Sequence, residues 1–349
     1  MKRNLMETLR GIGKPTDLCL APDGSSILVL PHGGRILGLF APGSEENFLW
    51  THPALASPAT AREFYAGDQW HNSGGDRTWL APEVDFFLPN FPALDKYRQP
   101  RQLDPGNYQL DASGAELRLT SRLEHVLSRS RQKVELEISK SVGPAANPLR
   151  YETGVDLAGI DYAGYTLRSS LRWLGGDGAS SAVGLWNLLQ MPHGGELLVP
   201  THVATRPKVC FGTLVGDDIA VGERLVRYRM RASGEQKIAV RAVAVTGRAG
   251  YRYRARDGRW ALVVRNFFVD PSGQYVDVPW SDAADLGYAV QACNVNSGLG
   301  RFSELEYHAP AIGPSLGRLA ADDVSQVWAF RGTREQIAAV SGNLLTADW

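Results

Sequence analysis

Two carboxylates and an imidazole recur at every second position in Ser303-Glu304-Leu305-Glu306-Tyr307-His308-Ala309-Pro310. In an extended strand Glu304, Glu306 and His308 share one face, about 6.6–7 Å apart per step, and Ser303, Leu305 and Tyr307 share the other. Such a row suits general acid–base chemistry. Like charges in a row raise the pKa of one carboxyl, and an imidazole titrates near neutrality. The same spacing also describes a charged face turned to solvent. Asn294, Asn296 and Arg301 flank this row and supply groups for a polyhydroxylated ligand.

A second group runs from Trp70 to Glu83, where His71, Asn72, Asp76, Arg77 and Trp79 surround Gly74-Gly75. Aromatic faces against C–H surfaces, with planar polar groups reading hydroxyls, are what a sugar requires. His71, Asp76, Arg77 and Trp79 are therefore candidate substrate-binding residues, although an Asp76–Arg77 pair could equally fix a loop. In the third group, 184–195, Trp186 and the amides of Asn187 and Gln190 are candidate pocket-lining groups, and His193 lies on a turn before Gly194-Gly195. The fourth is His32-Gly33-Gly34-Arg35, a tight turn whose Arg35 could point into a site.

The elements that would position these residues are strands. The 37 glycines and 20 prolines are spread along the chain and punctuate short segments rich in β-branched and aromatic residues. Strands are predicted at 26–30, 35–40, 47–50, 85–88, 108–112, 115–124, 133–141 and 162–174. The second half adds 181–190, 196–200, 236–245, 250–255, 260–268, 275–279, 288–296, 303–308 and 325–331. In 133–141, Val134, Leu136 and Ile138 alternate with Lys133, Glu135, Glu137 and Ser139. Asp257-Gly258 predicts a hairpin with a type I′ turn. Helical periodicity is scarce. The clearest case follows the last strand, where Thr333 and Gln336 form a capping box for a helix running to about Leu345.

These elements predict an all-β fold, two large antiparallel sheets packed face to face and closed or nearly closed at the edges, in a single domain over 1–349. A βαβ alternation is absent, as are the GxGxxG, P-loop, GxSxG and HExxH patterns.

Lysine plus arginine total 37 of the 349 residues and aspartate plus glutamate total 37, for a formal net charge of zero. This argues against a nucleic-acid partner and against a polybasic membrane-surface protein. An apolar fraction of 44% and a charged fraction of 21% are those of a globular chain. No apolar run approaches the roughly 20 residues of a membrane helix, and residues 1–20 lack a continuous apolar signal segment, so a cytoplasmic location is expected. Cys19, Cys210 and Cys293 are few and far apart, which predicts buried thiols rather than disulfides or a zinc site. Neither His71 with Asp76 nor His193 with His202 has compact metal-ligand spacing, and no cofactor is expected.

In their order, these segments resemble the galactose-mutarotase-like superfamily, the aldose-epimerase β-supersandwich. The likeness spans about residues 20–332. It rests on His32-Gly33-Gly34-Arg35-Ile36-Leu37-Gly38-Leu39 followed by Asn47-Phe48-Leu49-Trp50, on Gly74-Gly75 with Trp79-Leu80-Ala81-Pro82, and on the late Glu304-Leu305-Glu306 strand. The resemblance implies a large β-supersandwich and a saccharide ligand. It also implies acid–base chemistry of the epimerase or mutarotase type, with Arg77 as a sugar-binding arginine and Glu304 or Glu306 as the catalytic carboxylate. The chain departs from the family at Val183, which stands where the central His-x-Tyr-Phe-Asn-Leu strand carries its catalytic histidine. His71, His193 or His308 would have to replace that acid. A glycoside hydrolase or lyase on the same scaffold, and a non-catalytic sugar-binding module, remain the alternatives, in a monomer or homodimer.

Overall fold

The computed structural model describes residues 2–114, 116–279, 282 and 284–347. Ala115, where one predicted strand opens, lies outside the described residues. The chain begins with helix α1 (Lys2–Arg10), then β1 (Asp17–Leu20), β2 (Ser26–Leu30) and β3 (Arg35–Phe40). Helix α2 (Pro58–Tyr65), β4 (Asp76–Ala81) and the single-turn helix α3 (Glu83–Phe87) follow. Next come β5 (Gln109–Asp111), β6 (Leu117–Val126), β7 (Lys133–Pro144), β8 (Asp161–Gly176), β9 (Gly184–Pro192) and β10 (Glu196–Pro200). Short strands β11 (Lys208–Phe211), β12 (Ile219–Val221) and β13 (Leu225–Arg229) precede β14 (Gly234–Arg241), β15 (Arg248–Arg254) and β16 (Trp260–Phe267). The chain ends with β17 (Tyr288–Ser297), β18 (Gly300–His308), β19 (Ala320–Gly332) and α4 (Arg334–Leu345).

Two sheets result, antiparallel throughout. Nine strands run in the order β1-β2-β3-β4-β9-β18-β17-β14-β11, and ten in the order β12-β13-β10-β15-β16-β19-β8-β7-β6-β5. The expected all-β sandwich is what forms, although both sheets keep open edges. Its interior joins Val29, Ile36, Leu189, Ile238, Val290 and Leu305 of the first sheet to Leu119, Tyr165, Val226, Tyr251, Val263 and Val327 of the second. Strict alternation produces this division: each inward residue leaves its neighbours facing out. Helix α4 starts at the predicted capping box, with Gln336 N–H donating to Thr333 Oγ1 and Thr333 N–H donating to Gln336 Oε1. No helix among the described residues is long and apolar enough to cross a membrane.

Four local expectations are corrected. Residues 85–88 fall in and after α3 rather than in a strand: Asp85 N–H donates to Pro82 O, and acidic Glu83 and Asp85 suit a helix N-terminal turn. Residues 47–50 form no strand, because the Asn47 side chain itself bonds the backbone of Leu37 and Leu39. Residues 275–279 lie outside the strands. In the 255–259 hairpin only Gly258 has a left-handed φ (83°), and its N–H donates to Ala255 O. A type I′ turn needs two left-handed residues, so the hairpin closes through a longer loop with one left-handed glycine.

The Gly74-Gly75 turn sets the start of β4. Both residues have positive φ, 97° and 76°, and a Cβ on either would lie within 2.3 Å of a backbone oxygen, of Trp50 or of Ile36. Only glycine fits, and the turn fixes which face of the sheet each residue of β4 presents.

Candidate functional site

Sheet register brings the chemistry together. Across four strands Lys237 stands opposite Cys293, Cys293 opposite Glu304, and Glu304 opposite Gln190. In the next row on the same face Gln291 pairs with Glu306, Glu306 with Leu188, and Leu188 with Arg77. A third row holds His308, Trp186 and Trp79. This face forms the floor of a cavity of about 820 Å³, whose lining includes Trp70, Asn72, Arg77, Glu83, Tyr97 and Glu304.

Diagonal contacts tie the rows. Arg77 Nη2 lies 2.8 Å from Glu304 Oε1, which also accepts from Gln190 Nε2 at 2.9 Å. Glu306 Oε2 accepts from Trp186 Nε1 at 2.8 Å and lies 3.5 Å from Lys237 Nζ. Lys237 is shared with Glu83, also at 3.5 Å, and sits 4.4 Å from the Trp186 ring centre. Tyr97 OH donates to Glu83, and Asp277 accepts from Glu83 N–H and Gln291 Nε2. The Arg77 guanidinium lies against Trp79 at 4.1 Å and Trp70 at 5.5 Å, while its Nε and Nη1 have no partner. Both polar atoms of the buried Asn72 side chain are likewise unpartnered.

Electrostatics separate the titrating groups. Burial pushes the Glu306 carboxyl up to about 7; Lys237 opposes the shift, and Glu304 and Glu83 add to it. Burial works against the Lys237 ammonium, but Glu306, Glu83 and Asp277 outweigh it and hold its pKa well above the ordinary value. His308 is pushed down to about 4 by burial, against the pull of Asp277 and with a further push from Lys237. It is therefore a neutral ring at pH 7, stacked 5.4 Å from Trp186, with neither nitrogen partnered.

Cys293, Glu304 and Glu306 each offer one donor atom within 4.8 Å of the others. Among the described residues they are the group that could hold a metal ion. Arg77 and Lys237 already compensate both carboxylates, and burial, reinforced by those carboxylates, holds the Cys293 thiol protonated. That charge balance disfavours a further cation. The group joins two strands, so linear spacing could not reveal it. All three cysteines are free, and Cys210 is exposed rather than buried.

The predicted site residues divide sharply. Glu304, Glu306, Arg77, Trp79 and Trp186 line the cavity, and His308 lies behind Trp186. Asp76 does not reach it: the carboxylate points between the sheets, where Arg265 and Tyr165 hold it. Asn187 shares that inner face and accepts from Thr78 Oγ1. Arg35 is fully buried and bonds Asp104 and Gly74 O instead of entering the cavity. His71 lines a neighbouring pocket with Lys14, His32 and Arg101. His193 sits beside Ala232 O and Arg301, away from the carboxylates. Lys237, Cys293, Asp277 and Tyr97 were not singled out from sequence. The one local hint was that Lys237 directly precedes the apolar run Ile238-Ala239-Val240, where a charge drawn into the sheet needs a buried partner.

No family model matches the chain, and no curated protein matches it. Solved structures similar to it include a candidate aldose 1-epimerase from Escherichia coli K12. That protein is 12% identical, with a TM-score of 0.47, over 90% of this chain and 99% of that one. A galactose mutarotase related enzyme from Lactobacillus acidophilus is 8% identical, with a TM-score of 0.43, over 91% and 97%. A galactose 1-epimerase from Lactobacillus acidophilus NCFM is 9% identical, with a TM-score of 0.40, over 91% and 94%. The chain is thus similar to aldose epimerase and galactose mutarotase-like structures along most of its length, at low identity. No residue role follows from likeness at that distance.

Proposed function

We propose that the cavity binds a saccharide and exchanges two protons at its anomeric centre, as an aldose epimerase or mutarotase does. The observation that carries this is the carboxyl pair on β18. Oxygens of Glu304 and Glu306 lie within 4.8 Å of one another beneath an aromatic-walled cavity; one carboxylate is held by Arg77, the other is pushed up to about 7. Glu304 accepts the proton of the anomeric hydroxyl while Glu306 donates one to the ring oxygen. The bond from the anomeric carbon to the ring oxygen breaks and the carbonyl forms. Reclosure on the other face, with both protons returned, gives the second anomer. A carboxyl titrating near neutrality serves both directions.

Glu306 fills the role left open by Val183. Arg77 and Asn72 offer unspent donors and acceptors for hydroxyl groups, and Trp70, Trp79 and Trp186 offer faces for C–H surfaces. Hydrolysis is the weaker reading. Its two carboxyls must flank the scissile bond, whereas Glu304 and Glu306 rise from one strand on one side.

Proton exchange spectroscopy of a panel of free aldoses tests the proposal. Anomer interconversion is expected to exceed the buffer rate for at least one sugar. Glu306→Gln and Glu304→Gln should each lower that excess by about 10²–10⁴-fold. No acceleration across the panel would contradict it.

A further inference from the structure

Asp104 lies in the loop before β5, on no element that carries the carboxyl pair. Its Oδ2 accepts three hydrogen bonds, from Arg35 Nη2 at 2.8 Å, Trp70 Nε1 at 2.9 Å and Trp79 Nε1 at 3.0 Å. The donors come from three separate segments: β3, the loop after α2, and β4. Arg35 is fully buried and also donates to Gly74 O, so the same ion pair secures the turn that starts β4.

The two indoles bound to this oxygen are the two that flank Arg77. The orientation of Arg77 is otherwise weakly determined. One nitrogen meets Glu304, and Nε and Nη1 have no partner, so the plane of the guanidinium is set by the rings it lies against. Both indole N–H groups are spent on Asp104 and cannot turn toward a ligand. Each ring is therefore locked about its long axis and presents its face.

Resting on the reading of this cavity as the sugar site, we infer that Asp104 is a positioning residue: by fixing the Trp70 and Trp79 indoles it sets Arg77 against Glu304 and holds the aromatic wall in its ligand-binding orientation. A carboxylate taking three donors is strong enough for this. Hydrogen bonds to a carboxylate acceptor are the stronger class, and one of the three donors is a buried arginine.

Indole N–H resonances of Trp70 and Trp79, assigned through Trp70→Phe and Trp79→Phe, provide a readout that needs no ligand. In Asp104→Asn both are expected to move upfield and to exchange at least about tenfold faster. For an aldose that the wild type interconverts, KM should rise about tenfold with kcat within about threefold, the fold-change for weakening a charged hydrogen bond. Should the single variant fail to fold around an uncompensated Arg35, R35M/D104N removes that charge with its partner, and the same shifts are expected there. Unmoved indole resonances, or moved resonances with unchanged KM, would overturn the inference. If the wild type interconverts no aldose, the proposed function fails and the indole signals alone decide the role of Asp104.

Discussion

Asp76 and Arg77 are neighbours in sequence and lie on opposite faces of one strand, each in an ion pair. Inside the sandwich, Asp76 receives Arg265 through both of its oxygens at 3.1 and 2.8 Å and Tyr165 OH at 2.7 Å, with both ions fully buried. On the cavity side, Arg77 meets Glu304 through one nitrogen and leaves two without partners. The inner pair is bidentate, leaves only Arg265 Nε without a partner, and ties the two sheets together. The outer pair keeps spare donors beside a cavity, which is the property of a binding group. What separates structure from site here is a two-point contact sealed between sheets against a one-point contact beside a cavity, not charge.

Removing one partner of each pair should expose that difference. Arg265→Met leaves the Asp76 carboxyl sealed in the core without its ionic partner, and stability in urea is expected to fall by about 3–5 kcal/mol. Equal stability to wild type would end the assignment of a structural role. Arg77→Met should cost only about 1–2 kcal/mol, since Glu304 keeps Gln190 and reaches the cavity. Its effect should appear instead as lost aldose interconversion, by about 10²-fold. A larger stability loss than that of Arg265→Met would reverse the comparison.

A pH experiment sharpens it further. His308 has a folded pKa near 4, below its unfolded 6.5, so its contribution to stability is present above pH 6.5 and lost as pH falls toward 4. Glu306 has a folded pKa near 7, above its unfolded 4.5, so it costs stability increasingly as pH rises from 4.5 to 7. Between pH 4.5 and 6.5 the two slopes oppose. In Glu306→Gln the cancellation is removed. The stability of that variant relative to wild type should rise by roughly 1 kcal/mol per pH unit across this window. A flat difference would show that Glu306 titrates as an ordinary carboxyl.

Period-two alternation made the β18 face legible in sequence, and a two-residue motif made the α4 cap legible. Both depend on residues close in the chain. Asp76 and Arg77 defeated the same reasoning, because a strand with charge on both faces gives no hint which face is inward. The Gly74-Gly75 turn decides it through backbone contacts with Trp50 and Ile36 that no local pattern encodes. Lys237 reaches Glu306 across the sheet and Glu83 on α3, both distant in sequence. Asp104 and Asp277 act from loops, where no periodicity operates, so their roles needed coordinates. The burial that shifts Glu306 is likewise a property of the packed sheet and not of its neighbours in sequence.

The proposed chemistry depends most directly on a proton being available from Glu306 at neutral pH. Titration of its side-chain carboxyl carbon by ¹³C NMR, assigned with Glu306→Gln, should give a midpoint near pH 7. A midpoint in the ordinary glutamate range, near 4.5, would contradict the account.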